Sequence, residues 1–451
     1  MAILPIDSEI FGALFGTVEM RELFSERTQL QLMLDVEAAL SRAQARVGLV
    51  PREIAHKVTA AARVENLRLT EIARSMHQVG YPVFALVREL GRAAGPEAAR
   101  YIHLGATTQD ILDTALVLQL RRGAVLIRRD LLAIARALAA LAQRYRDTPM
   151  AGRTHLQQAV PISFGLKCAI WASPFPRHIQ RLDQALARAA MLQYGGAAGT
   201  LAPLGADGLA VAQALAEELD LRLPDAPWHV VRDTLAEFAA LMGLIAGSLG
   251  KFAFDITLLM QNEVAEVAEP YEEGRGSSST MPQKRNPIAS EYILAAARAV
   301  HALVGVMLGA MIQDHERASG PWQSEALALP ESFVLAAGAL AQARAIAEGL
   351  TVDSERMRRN LTAGAGLIMA EAVAAGLTGA IGRAAAHEIV AHACARAIAT
   401  HCSLRDVLEQ DAAVRAHLTV AEIERLVDPA AYLGSAGAFV DRIVAAIARL
   451  A

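Results

Sequence analysis

Residues 110–146, DILDTALVLQLRRGAVLIRRDLLAIARALAALAQRYR, run for 37 positions with no proline and a single glycine. Leu, Ala and Arg dominate the segment, and all three lose little on entering a helix. Asp110 stands where a capping side chain opens one. The spacing therefore predicts one helix ~55 Å long at 1.5 Å per residue. A helix of that length cannot bury its apolar flank against itself, so it must lie along others of similar length in a bundle. A second long pattern covers residues 233–266. A third, within 25–51, sets Leu30, Leu32, Met33, Leu34, Val36 and Leu40 on one broad stripe. It stops at Gly48 and Pro51, a C-cap glycine followed by a breaker.

Composition narrows the class further. The chain has 451 residues, 54% hydrophobic but only 5% aromatic, which excludes disorder and disfavours an all-β sandwich. A net charge of −4 gives no overall basic field for nucleic acid or an anionic membrane. The three cysteines, Cys168, Cys394 and Cys402, are too few and too scattered for a disulfide framework. The first residues, with Asp7 and Glu9, do not read as a signal peptide. Uncharged apolar runs such as 238–250 fall short of a bilayer span. The expectation is a soluble, cytoplasmic, all-α protein with divisions near residues 110 and 350: an N-terminal helical domain 1–110, a central helix-bundle domain 111–350, and a C-terminal helical domain 351–451.

Three polar segments interrupt the helical pattern. In 101–110, YIHLGATTQD, Thr107, Thr108 and Gln109 stand just before a helix, where hydroxyls and free N–H groups bind carboxylates; simple N-capping would also account for Thr108 or Asp110. In 151–161, AGRTHLQQAVP, Arg153, Thr154, His155 and Gln158 cluster before Pro161. His155 is the general-acid candidate, because it is the histidine set in a polar, non-periodic context. The third, 272–287, EEGRGSSSTMPQKRNP, is the longest non-helical stretch. It carries Ser277, Ser278, Ser279, Thr280, Lys284, Arg285 and Asn286, a set suited to binding an anion; the same composition suits a surface turn. Phosphate-loop chemistry fails on spacing and on the missing strand. His387, His392, Cys394, His401 and Cys402 fit no standard zinc spacing and read as ordinary helix residues. Arg317, where the pattern breaks again, is a carboxylate-binding candidate or a surface ion-pair partner.

GSSSTMPQKRNP closely resembles the signature of the fumarase/aspartase (fumarate lyase) superfamily, Gly-Ser-Ser-x-Met-Pro-x-Lys-x-Asn-Pro. HLGATTQDILDTA and GRTHLQQAVP resemble the other two regions that build its active site. LQYGGAAGTLAPLG, PWHVVRD and YLGSAGAFVDRIV look most like the superfamily's 3-carboxy-cis,cis-muconate cycloisomerase branch. The resemblance implies an all-α, three-domain subunit in a homotetramer, with active sites shared between subunits, a small polycarboxylate substrate and no cofactor. It implies that Ser278 is the base acting on a carbon beside a carboxylate, and that Lys284 and Asn286 stabilise the aci-carboxylate. Thr107 and Thr108 would bind carboxylates, with Gln109, Arg153, Thr154, Gln158, Ser279 and Arg317 completing the substrate site. His155 stands where fumarate-releasing lyases carry a histidine acid and where bacterial cycloisomerases tend to carry Trp. Lactonisation and β-elimination of an N- or O-substituted succinate both stay open. Tyr81 and Pro82 replace the His-Asp pair typical of adenylosuccinate lyases, and Gln283 replaces a usual His.

Overall fold

The computed structural model describes residues 4–272 and 274–450. Its principal elements, in chain order, are α1 (Glu26–Val47), α2 (Thr108–Arg144), β1 (Pro149–Thr154), β2 (Gln157–Ser163), α3 (Asp233–Leu259), β3 (Val267–Ala268), α4 (Ile288–Ala310), α5 (Pro321–Gly349), β4 (Thr351–Val352), α6 (Ser354–Thr362) and α7 (Arg383–Thr400). The all-α class holds, with two small two-stranded antiparallel sheets, β1–β2 and β3–β4, as the named strands.

Local chemistry explains the helix limits. The Ser25 hydroxyl accepts from Thr28 N–H at the start of α1, and Gly48 closes it at φ +91°. The expected helix over 233–266 is shorter, because α3 ends at Leu259. Beyond it the carbonyls of Asn262, Glu263 and Val264 turn outward to accept from Arg356, and Ala265 adopts φ +51°. Tertiary partners for backbone carbonyls here override helix propensity. The segment 151–161 was expected as an irregular interruption. It is a β-hairpin, with Thr154 paired to Gln157 across a two-residue turn.

The chain forms two compact units. Unit 1 comprises residues up to Asp130, His178–Gly247 and Ala295–Ala341; unit 2 comprises Leu131–Arg177, Ser248–Leu294 and the residues from Gln342 onward. In unit 1 an aromatic cluster of Phe24, Phe333 and Phe238, with centroids 5.7 and 5.9 Å apart, anchors a core filled by α1. In unit 2, Tyr145, Phe164, Trp171 and Phe252 form an edge-to-face ladder at 5.2–5.9 Å. A separate cluster around Leu377, Val390, Leu404 and Ile423 holds the C-terminal helices. His387, His392 and Cys394 lie on α7 as helix residues, and among the described residues no group of three or more His, Cys, Asp or Glu could hold a metal ion.

Three helices, α3, α4 and α5, have the length and apolarity to cross a membrane once scattered charges are allowed, contrary to the expectation from uncharged runs alone. Two-thirds of the apolar window of α5 is buried in the structure, but only a third of that of α4.

Candidate active site

In unit 1 the site is organised by a buried carboxylate. Asp110, in the first turn of α2, accepts from Thr107 N–H (2.9 Å), Gly195 N–H (3.0 Å) and Gly196 N–H (2.9 Å), and its Oδ1 lies 2.7 Å from His229 Nε2. Gln193 Nε2 donates to it at 3.4 Å. An acidic side chain in a helix's first turn is favoured by the N–H groups left free there, and this one gathers donors from two other segments as well. The motifs at 101–110, 192–205 and 227–233 thus converge on one residue, which presents Thr107 and Thr108 half-buried at the mouth of α2.

Gln109, expected to touch substrate, is buried and fully engaged. Its Nε2 donates to Asp113 (3.1 Å) and to the His229 carbonyl (2.8 Å), while its Oε1 accepts from Arg317 Nη1 (3.2 Å). Arg317 also donates to the Ala197 carbonyl at 2.8 Å, so its guanidinium is held by Gln109 and by the backbone. Beneath lies Arg232, bonded to Asp113 (2.6 and 3.0 Å) and to Glu325 (2.5 Å), all three almost wholly buried. Burial pushes the Glu325 carboxyl above its ordinary range, against the opposing bond and charge of Arg232.

In unit 2 the β1–β2 hairpin carries Arg153, Thr154, His155 and Gln158. Arg153 makes a bidentate pair with the fully buried Glu266 (2.7 and 2.9 Å), and Asn360 Nδ2 donates to the same carboxylate at 2.8 Å. Gln158 Nε2 donates to the Asn360 carbonyl at 3.0 Å. Both residues therefore hold the hairpin, Arg153 to the residue just before β3 and Gln158 to α6. His155 and Leu156 form its tip at φ +49° and +63°, a pair of left-handed residues where Asn-Gly would be relaxed. Each costs of order 1–2 kcal/mol. The strain is spent on projecting the His155 and Thr154 side chains, both exposed.

The 272–287 segment is a loop pinned at both ends. Glu269 accepts from Ala289 N–H, Ser290 N–H and the Ser290 hydroxyl (3.0, 2.8 and 2.7 Å), capping α4 with a carboxylate. Inside that clamp, Asn286 N–H donates to the Gly276 carbonyl (2.9 Å), and Ser277 bridges to Arg285. Gly276 is required at this closure: its φ is +69°, and a Cβ would sit 2.7 Å from the Asn286 carbonyl. At the far turn Ser278 Oγ accepts from Met281 N–H (3.1 Å) and Thr280 N–H (3.3 Å). Ser279 is exposed beside it. Lys284, Arg285 and Asn286 face a cleft of ≈ 780 Å³, shared with Gln261, Asn262 and Asp353. Among the described residues no hydrogen bond joins this loop to the hairpin.

Unit 1 thus holds Thr107, Thr108 and Arg317; unit 2 holds Ser278, Lys284 and Asn286, with the His155 hairpin. Such a set can bind carboxylates and hold a deprotonated hydroxyl beside donors for developing negative charge. Asp110, Glu266 and Glu269 were missed as organisers. Their sequence signal was thin: each is an acid in an apolar or helix-terminal context, readable as a cap or as surface.

Helical bundle and loop together define a lyase. The chain matches the lyase family over residues 16–302 and the adenylosuccinate lyase C-terminus over 366–443, and it belongs to that family, as an enzyme of the fumarase/aspartase superfamily. It is 51% identical over 97% of its length to the 3-carboxy-cis,cis-muconate cycloisomerase of Pseudomonas aeruginosa, covering 96% of that protein. The crystal structure of 3-carboxy-cis,cis-muconate lactonizing enzyme from Pseudomonas putida superimposes with a TM-score of 0.93 at 46% identity, over 98% of this chain and 99% of that one. A fumarate lyase from Mesorhizobium sp. BNC1 superimposes with a TM-score of 0.90, also at 46% identity, over 96% and 98%.

Proposed function

We propose that this enzyme interconverts 3-carboxy-cis,cis-muconate and its lactone through an aci-carboxylate intermediate. The observation that carries the reading is the Ser278 turn. Two backbone N–H groups point at the hydroxyl oxygen, on a loop whose Lys284 and Asn286 face the cleft. Those donors favour charge on Oγ, which is what a serine base needs.

In the elimination direction Ser278 removes the proton from the carbon next to a carboxylate. The electron pair moves into that carboxylate, giving a dianion held by Lys284 Nζ and the Asn286 amide; the lactone C–O bond then breaks and the alkene forms. Lactonisation reverses each step: a carboxylate oxygen adds to the alkene and the Ser278 hydroxyl returns the proton. The chemistry calls for neither metal nor organic cofactor. Thr107, Thr108 and Arg317 bind the remaining carboxylates, with Thr154 and Ser279 at the rim. Gln109, Arg153 and Gln158 act through the residues they hold. The site is completed between the subunits of a cytoplasmic homotetramer, each subunit divided near residues 110 and 350. Its packing surface includes the outward face of α4, where Val306 is 43% and Leu308 52% exposed.

A second reading, release of fumarate from an N- or O-substituted succinate, is favoured by one observation: the strained, exposed His155, suited to protonating a leaving group. The experiment is a spectrophotometric assay with 3-carboxy-cis,cis-muconate. Loss of diene absorbance, reduced ~10²–10⁴-fold by Ser278→Ala, is the expected result. An intact diene, with fumarate released from substituted succinates in a reaction that His155→Ala abolishes, overturns the first reading in favour of the second.

A further inference from the structure

Helix α1 carries a polar stripe where its environment is apolar. Glu37, Ser41 and Gln44, spaced four and three residues apart, lie on one face and are almost fully buried. Glu37 and Gln44 touch the segment that delivers Thr107. Glu37 Oε1 lies 2.6 Å from His103 Nδ1, and Gln44 Nε2 donates to the Leu104 carbonyl at 2.7 Å. Tyr194 Oη donates to the same carbonyl at 3.4 Å. Around these contacts the main chain is left-handed at His103 (φ +64°) and Gly105 (φ +72°). Left-handed backbone is uncommon for residues with a Cβ, and histidine is one of those that adopt it more readily than most.

The stripe is incompletely compensated. Glu37 Oε2, Ser41 Oγ and Gln44 Oε1 are buried and have no hydrogen-bond partner among the described residues. A carboxylate in that position depends on His103 for its counter-charge, and removing the charge of one partner from a buried pair is costly. The charged and titratable groups facing His103 are Glu37 from α1, Asp110 from α2 and Tyr194 from the segment above, with His229 behind Asp110.

We propose that Glu37 and His103 are a positioning pair for the carboxylate-binding segment: the protonated imidazole, locked on Glu37, fixes residues 103–106 and thereby sets Thr107 and Thr108 for substrate. The proposal rests on the functional reading above for its substrate, and on geometry alone for the pair. Burial lowers the His103 pKa, but the hydrogen bond to Glu37 and the charges of Glu37 and Asp110 outweigh it, so the net direction is upward. The pair is therefore intact below the ordinary histidine range and opens as pH rises through the raised value. Glu37→Gln keeps the shape and removes the need for the proton, since a neutral amide pairs with a neutral imidazole.

The test has two arms on the full-length protein. The first follows amide hydrogen exchange of residues 103–108, normalised to intrinsic rates, across neutral and alkaline pH. Wild type should lose about tenfold protection as His103 deprotonates, roughly one hydrogen bond of order, while Glu37→Gln stays flat. The second follows KM and kcat for 3-carboxy-cis,cis-muconate over the same range. KM of wild type should rise about tenfold with kcat little changed, the rise should be absent in Glu37→Gln, and the KM defect of His103→Asn should be relieved by adding Glu37→Gln. Superimposable exchange profiles in wild type and Glu37→Gln overturn the proposal, whatever the activity. A pH-dependent exchange switch with a flat KM overturns the positioning role. A switch in a protein that leaves the diene untouched upholds the pair and sinks only the choice of substrate.

Discussion

Replacing Asp110 with Asn changes one atom and should dismantle the organisation of unit 1. Oδ1 of Asp110 accepts from Gly195 N–H, Gln193 Nε2 and the His229 ring; Oδ2 accepts from Gly196 N–H and Thr107 N–H. Asparagine offers one acceptor oxygen and one amide nitrogen that only donates. With the nitrogen in the Oδ2 position, two backbone donors face a donor; flipped, three donors do. At ~1–3 kcal/mol for each buried donor left unpaired, the better orientation still costs about 2–6 kcal/mol. The loss is local, so it should appear as a lower urea midpoint for the transition that reports on unit 1. Because Thr107 is one of the released groups, KM for the carboxylate substrate should rise together with the loss of stability. Urea unfolding followed by far-ultraviolet circular dichroism, alongside steady-state kinetics, measures both. An Asp110→Asn protein with the wild-type midpoint and wild-type KM would refute the idea that this carboxylate holds the three segments together.

Two further outcomes follow from ion pairs. The Arg68 and Arg92 guanidinium groups bonded to Glu89 hold its carboxyl down at about 2, against the opposing effect of burial. A depressed carboxyl contributes stability that is present above its unfolded value and is lost as pH falls through the folded one. An acid titration between about pH 4.5 and 2 should therefore destabilise wild type more steeply than Glu89→Gln, as read by thermal melting. Arg153→Met should strand Glu266 in the interior and cost about 3–5 kcal/mol, which Arg153→Met combined with Glu266→Leu should largely restore. Calorimetric melting of the single and double variants checks this, and equal melting temperatures for the two would contradict it.

The parts of the fold visible in the sequence are those governed by local rules. The 37-residue α2 and the Gly48 stop of α1 follow from propensity and capping, and the 276–287 loop from its run of residues that neither helix nor strand favours. What stayed hidden depends on partners far along the chain. The His155–Leu156 turn lacks the Asn-Gly signature because the hairpin is held by Arg153 on Glu266 and by Gln158 on Asn360, not by its own turn chemistry. The end of α3 at Leu259 is set by Arg356 reaching back to carbonyls that would otherwise continue a helix. Gln109 and Arg153 read as substrate ligands because polar residues in a motif look alike in sequence. The partners that engage them, Arg317 for Gln109 and Glu266 for Arg153, lie too far along the chain to be read from the motif.

Because the chain leaves and re-enters each compact unit twice, order of synthesis matters. Unit 1 draws its last segment from residues 295–341, so Phe24 emerges from the ribosome long before Phe238 and Phe333 are available to cover it. At ~5–20 residues per second the interval between Phe24 and Phe333 is about 15 to 60 s. Through that time α1 has the neighbouring Arg52–Ala61 helix, and later the Gly208–Leu219 helix, to pack against, but not the aromatic pair Phe238 and Phe333. Neither unit can be cut out as a contiguous fragment. A truncation that keeps Thr107, Thr108, the His155 hairpin and the Ser278 loop but removes the 295–341 segment, and Arg317 with it, should yield an aggregate, not a smaller enzyme.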